Sequence, residues 1–101
     1  MKINIDSDIQ YQSDAIVSKT ILKNDCGNIT LFAFDAQQAL SEHTVPFDAL
    51  FTCVEGKFRI TIGSKEHLLD KNEIIILPAN IPHSVSALEP SKCILVMIKS
   101  K

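Results

Sequence analysis

Apolar and polar positions alternate along much of this chain with a period of two, and the alternation breaks at short clusters of Gly, Pro, Asn, Asp and Ser. A two-residue period puts successive side chains on opposite faces of an extended strand. The clearest instance is Lys57–Ile62, with Phe58, Ile60 and Ile62 on one face and Lys57, Arg59 and Thr61 on the other. In the last apolar run, residues 92–99, Ile94, Val96 and Ile98 oppose Cys93, Leu95 and Met97. Further strands are predicted over residues 17–23, 29–34, 48–54, 66–69, 73–77 and 84–88, separated by turn-rich clusters.

Residues 17–34 read as an antiparallel hairpin, and Gly56 supplies the positive φ that a tight turn between residues 48–54 and Lys57–Ile62 demands. Gly63 and Ser64 form a second two-residue turn. Residues 48–54 and 92–98 are apolar on both faces, the pattern of strands covered on two sides. Residues 1–16 are weakly patterned and are expected to form an arm or an edge strand. Residues 35–40 are the one segment able to coil briefly as helix, but they lack a sustained 3.6-residue period. Many short strands with almost no helix predict an all-β sandwich or barrel.

With 101 residues, 46% of them hydrophobic, the chain has the size and apolar content of a single domain, 1–101. The formal charge of -2 provides no electrostatic footprint for nucleic acid. No apolar run approaches the roughly 20 residues of a membrane helix, and the N-terminus shows no signal-peptide pattern. Three widely spaced cysteines, Cys26, Cys53 and Cys93, argue against a disulfide framework or a structural zinc site. Free thiols in a reducing cytoplasm are the expectation.

Candidate chemistry centres on His43 and His83, which lie at the two ends of a motif-rich stretch. His67 sits just past the Gly63-Ser64 turn and is expected on the solvated surface. The stretch resembles the cupins, small jelly-roll barrels of the double-stranded β-helix kind, over residues 37–98. The first cupin motif has a His-x-His pair, a Glu, and a Gly seven residues after that Glu. With Gly56 as the closing glycine, the Glu position falls at Ala49 and the histidine positions at His43 and Val45. The second motif is Gly-x5-Pro-x-Gly-x2-His-x3-Asn. Pro78 and His83 match it, Asn72 and Asn80 stand in for its glycines, and Ala87 replaces the final Asn.

The resemblance implies a cupin-like all-β barrel, and in metal-binding cupins three histidines and the glutamate hold one ion, commonly Fe, Mn, Ni or Zn. Here only His43 and His83 retain ligating side chains. Mononuclear sites generally need three protein ligands, so Asp48 and Cys53 are the candidates for a third. Strand alternation points Asp48 away from the interior, and Cys53 towards it. Replacing Glu by Ala and His by Val makes the interior more apolar. The expected ligand pocket is therefore lined by His43, Val45, Ala49, Phe51, Cys53, Phe58, Ile60 and His83. The expected function is small-molecule binding by a homodimer, with no catalytic residue assigned and no assured cofactor. Two other readings stand beside it: a metal-dependent enzyme of dioxygenase or isomerase type with a non-standard ligand set, and a structural or interaction domain.

Overall fold

The structure, a computed structural model, describes residues 1–99. Among these residues one helical turn, α1 (Ile5–Asp8), precedes nine strands: β1 (Ile16–Asn24), β2 (Gly27–Phe34), β3 (Ala39–His43), β4 (Asp48–Glu55), β5 (Lys57–Ile62), β6 (Lys65–Asp70), β7 (Ile74–Leu77), β8 (His83–Ala87) and β9 (Ser91–Ile98). All pairings are antiparallel. The strands form a five-stranded sheet in the order β1-β2-β9-β4-β7 and a four-stranded sheet in the order β3-β8-β5-β6. Chain crossings between the two sheets give the jelly-roll arrangement that the resemblance to cupins implies, within the all-β class that the alternation and turn spacing predict.

Each sheet turns one row set inward. From the four-stranded sheet come Leu40, Phe58, Ile60, Ile62, Leu69, Val85 and Ala87, and from the other Phe34, Ala49, Phe51, Cys53, Ile75, Leu77, Cys93 and Leu95. Three rings knit the centre. Phe58 meets Phe34 edge-on at 5.2 Å and Phe51 at 5.0 Å between ring centroids, the geometry that aromatic quadrupoles favour.

The other face of the five-stranded sheet is only partly covered. Residues 1–15 run across it as an arm, capped at α1 by the Asn4 side chain, which accepts from the Asp6 and Ser7 amides. Ile9 packs there with Leu31 and Ala33. Lys92 is buried beneath the arm. Its ammonium donates to the carbonyls of Ile5 and Asp6 and lies 5.2 Å from the Tyr11 ring centroid, while the Tyr11 hydroxyl donates to Glu55. Burial and the Glu55 carboxylate together drive the Tyr11 pKa upward. Beyond the arm, Ile74, Ile76 and Ile98 stay exposed.

Turn chemistry fixes the strand connections. Gly56 has φ +83°, and a Cβ there would stand 2.2 Å from Ser91 Oγ and 2.5 Å from the Pro90 carbonyl oxygen. Only glycine fits. Asn72 and Asn80, at the two motif positions where cupins carry glycine, both adopt left-handed backbone, with φ 71° and 64°. Asparagine is one of the few side-chain-bearing residues that tolerate this region. Residues 35–40 form a turn and the start of β3 rather than helix.

Candidate functional site at the barrel mouth

The two histidines meet because of an irregularity in β3. Leu40 pairs with Val85, and two residues further along β8 His83 pairs with His43, three residues on from Leu40. The extra residue is a β-bulge, and it returns His43 to the inward face after an odd step. His83 in turn pairs with Ile62 on β5, and Ile62 with Lys65 on β6. One row across the sheet therefore reads His43, His83, Ile62, Lys65.

This row lies at the end of the barrel where three connections converge. The Asn80 amide donates to the Val45 carbonyl at 2.8 Å, tying the 78–82 loop to the 44–47 loop, and the Gly63 amide donates to the Pro82 carbonyl at 2.7 Å. Asp48 Oδ1 accepts from the Ala79 amide at 2.8 Å. Across the interior, the corresponding end of the five-stranded sheet offers Leu77, Ala49, Met97 and Asn28 in one row. Met97 and Asn28 also border an open cleft of about 260 Å³ between the β1–β2 turn and the end of β9.

The imidazole rings of His43 and His83 are 4.4 Å apart between centroids, edge to face. His43 Nδ1 lies 2.7 Å from the Ser41 carbonyl oxygen, and His83 Nδ1 lies 3.3 Å from that of Ile81. His43 is exposed, whereas His83 keeps 5% of its surface. Burial pulls the His83 pKa below the ordinary imidazole value; the Ile81 carbonyl works against this and His43 adds to it. His83 is thus held neutral at physiological pH.

The remaining residues expected at the pocket separate into two groups. Val45 is half-buried in the loop beside the histidines. Ala49, Phe51, Cys53, Phe58 and Ile60 are 0–4% exposed and sit in the close-packed core. They form the floor beneath the mouth. His67, expected on the solvated surface, pairs with Ile60 and so shares its inward face, half-buried.

The donor set does not fit a cupin-type metal centre. Asp48 pairs with Ile98 on the outward face, and its carboxylate is engaged by the Ala79 amide. Cys53 lies in the core opposite Cys93, with its Sγ 3.5 Å from the carbonyl oxygens of Glu55 and Gly56. Burial pushes its thiol pKa up to about 11, and a protonated thiol is a poor metal ligand. Among the described residues no cluster of three His, Cys, Asp or Glu side chains is placed to hold an ion. Two imidazoles remain, short of the usual three ligands.

Two facing antiparallel sheets with crossing connections, and inward histidines at one end, define a small jelly-roll barrel. The chain belongs to the cupin family: residues 30–99 match the cupin domain. No curated protein sequence matches it. Among solved structures it is similar to a conserved protein of unknown function from Streptococcus pyogenes, with 28% identity and TM-score 0.93, covering 100% of this chain and 89% of that one. It is also similar to a cupin 2 conserved barrel domain protein from Leptotrichia buccalis, at 33% identity and TM-score 0.91 over 96% of this chain, which spans 47% of that longer protein. A third structure, KdgF from Halomonas sp., shares the fold at 22% identity and TM-score 0.81, covering 98% of this chain and 93% of that one. Among the described residues no helix is long and apolar enough to cross a membrane.

Proposed function

We propose that this cupin is a small-molecule-binding module whose ligand sits at the barrel mouth between His43 and His83, over the apolar floor of Ala49, Phe51 and Ile60. One observation carries the reading. His83 is almost wholly buried, yet it is not left with a buried, unpartnered ring nitrogen, so the nitrogen not committed to Ile81 keeps some contact with solvent beside the exposed His43. A polar tip set in an apolar surround is the usual make-up of a small-molecule site. The ligand lies in the mouth rather than in the barrel centre, because the three phenylalanine rings occupy the centre.

The test is a fragment screen by ligand-observed NMR on the wild type and on the His43→Ala, His83→Ala double variant, with metal content measured on the same preparations. Fragments that bind the wild type and are lost in the variant are expected. Hits that persist in the variant would move the site elsewhere. Stoichiometric metal that disappears in the variant would overturn the reading in favour of a metal-dependent enzyme of dioxygenase or isomerase type.

Self-association and a cytoplasmic setting belong to the same proposal. Ile74, Ile76 and Ile98 are 53–60% exposed on one face of the five-stranded sheet, and a second copy laid on that face would remove them from water. The three free thiols suit a reducing compartment. Light scattering should give twice the monomer mass for the wild type and the monomer mass for Ile76→Lys. A monomeric wild type would remove the homodimer.

A further inference from the structure

The hydrogen bonds of the two imidazoles determine what chemistry the mouth presents. A backbone carbonyl oxygen only accepts, so the Nδ1 atom of His43 facing Ser41 O, and that of His83 facing Ile81 O, must each carry the proton. A neutral imidazole has one N–H, and with it spent on Nδ1 the Nε2 atom is left as a bare lone pair. Each ring's hydrogen bond within the described residues is made through Nδ1; the His83 Nε2 is not buried without a partner, and His43 is exposed. The tips point away from their own strands, since Nδ1 is the ring nitrogen nearer the backbone.

Among the described residues no cation stands next to the histidines within this row, and the Lys99 ammonium is taken up against the Phe47 ring of the 44–47 loop, 5.7 Å from its centroid. In the register the nearest inward-facing cation, Lys65, is separated from His83 by Ile62. Two strand spacings put it about 10 Å away, and it is exposed. Arg59, the chain's one arginine, pairs with Ser86 on the outward face and is engaged by Glu66.

We propose that His43 and His83 present two acceptor nitrogens at the mouth, and that the ligand class is a neutral molecule carrying hydroxyl or N–H donors on an apolar body, rather than a carboxylate or phosphate. The inference rests on the mouth being a ligand site. A hydroxyl completes each bare Nε2, whereas an anion would set lone pairs against lone pairs.

Two measurements on the intact protein test this separately. Long-range 1H–15N NMR above the imidazole titration range, assigned with the single His43→Ala and His83→Ala variants, reports the tautomers directly. Both rings are expected as Nδ1–H with Nε2 unprotonated; a predominant Nε2–H form on either ring overturns the acceptor assignment whatever binds. The second measurement titrates p-cresol and p-toluate, which share ring and methyl but differ in bearing a neutral hydroxyl or a carboxylate. The cresol is expected to bind about ten-fold tighter and to shift both Nε2 resonances. Toluate binding as tightly overturns the ligand class and leaves the mouth as a binding site. If neither probe shifts either ring, the ligand-class proposal falls together with the reading of the mouth as a site.

Discussion

Replacing Phe58 by Ala tests whether the barrel is filled or hollow beneath the mouth. Phe58 is 0% exposed and makes edge-on contacts with two rings, Phe34 at 5.2 Å and Phe51 at 5.0 Å. Removing a buried Phe costs about 3–5 kcal/mol, the loss of transfer free energy adding to that of the void left behind. Two aromatic contacts, each worth about 0.5–1.5 kcal/mol beyond area, push the expectation to the upper half of that range, about 4–5 kcal/mol. A domain of this size holds about 5–15 kcal/mol in all, so the variant should be close to unfolding, with Tm lower by roughly 20 °C or more. Urea unfolding followed by circular dichroism measures the loss, and Phe58→Leu, expected to cost about 1–2 kcal/mol, remains folded enough to anchor the slope. A loss below about 2 kcal/mol for Phe58→Ala would refute the reasoning. The ring would then border open space, and the ligand site would extend into the barrel centre.

Three further outcomes follow from the same packing and turn geometry. Because the native pKa of His83 is depressed, the unfolded chain takes up that proton first as pH falls; the contribution of His83 to stability is full above the ordinary imidazole pKa of about 6.5 and is lost as pH falls from there towards the lower native value. The slope from this one group cannot exceed about 1.4 kcal/mol per pH unit, and urea midpoints measured against pH should lose that component in His83→Gln. Gly56→Ala should cost about 2 kcal/mol or more, since positive φ and a Cβ 2.2 Å from Ser91 Oγ act together, whereas Gly63→Ala, whose Cβ would meet nothing nearer than 3.9 Å, should cost about 1 kcal/mol by urea unfolding. Lys92→Met removes the ammonium that holds the Ile5 and Asp6 carbonyls; hydrogen exchange at Ile9 should speed up while exchange at Phe51 and Ile60 does not, and equal acceleration everywhere would show that the arm is not a separate unit.

Much of the strand layout was legible in the sequence because the side-chain period is a property of one strand at a time. The β5 alternation and the opposed faces of β9 needed nothing but residues 57–62 and 92–98. Asn72 and Asn80 were legible as glycine substitutes from the spacing of the second cupin motif, and both do occupy backbone that few other residues accept. The inward face of His67 was within reach as well. A two-residue turn at Gly63-Ser64 pairs Ile62 with Lys65, and two steps back Ile60 with His67. The filling of the core was not legible, since Phe34, Phe51 and Phe58 come from three strands in two sheets and their combined volume is no property of any one segment. Nor was the route of residues 1–15 across the outer face, which depends on Lys92 at the far end of the chain.

The bulge in β3 carries a consequence for how such a site changes. Counted without the extra residue, the partner of His83 would be Glu42, not His43. The pairing of imidazole with imidazole is therefore held in place by phase as much as by residue choice. Straightening the bulge at constant length would put Glu42 opposite His83 and exchange an imidazole for a carboxylate at the mouth, whereas deleting one position between Leu40 and His43 would remove the bulge and leave His43 in place. A barrel built this way can move between two unlike chemistries by a one-residue shift of register in one edge strand, a shorter path than the several substitutions needed to rebuild a ligand set.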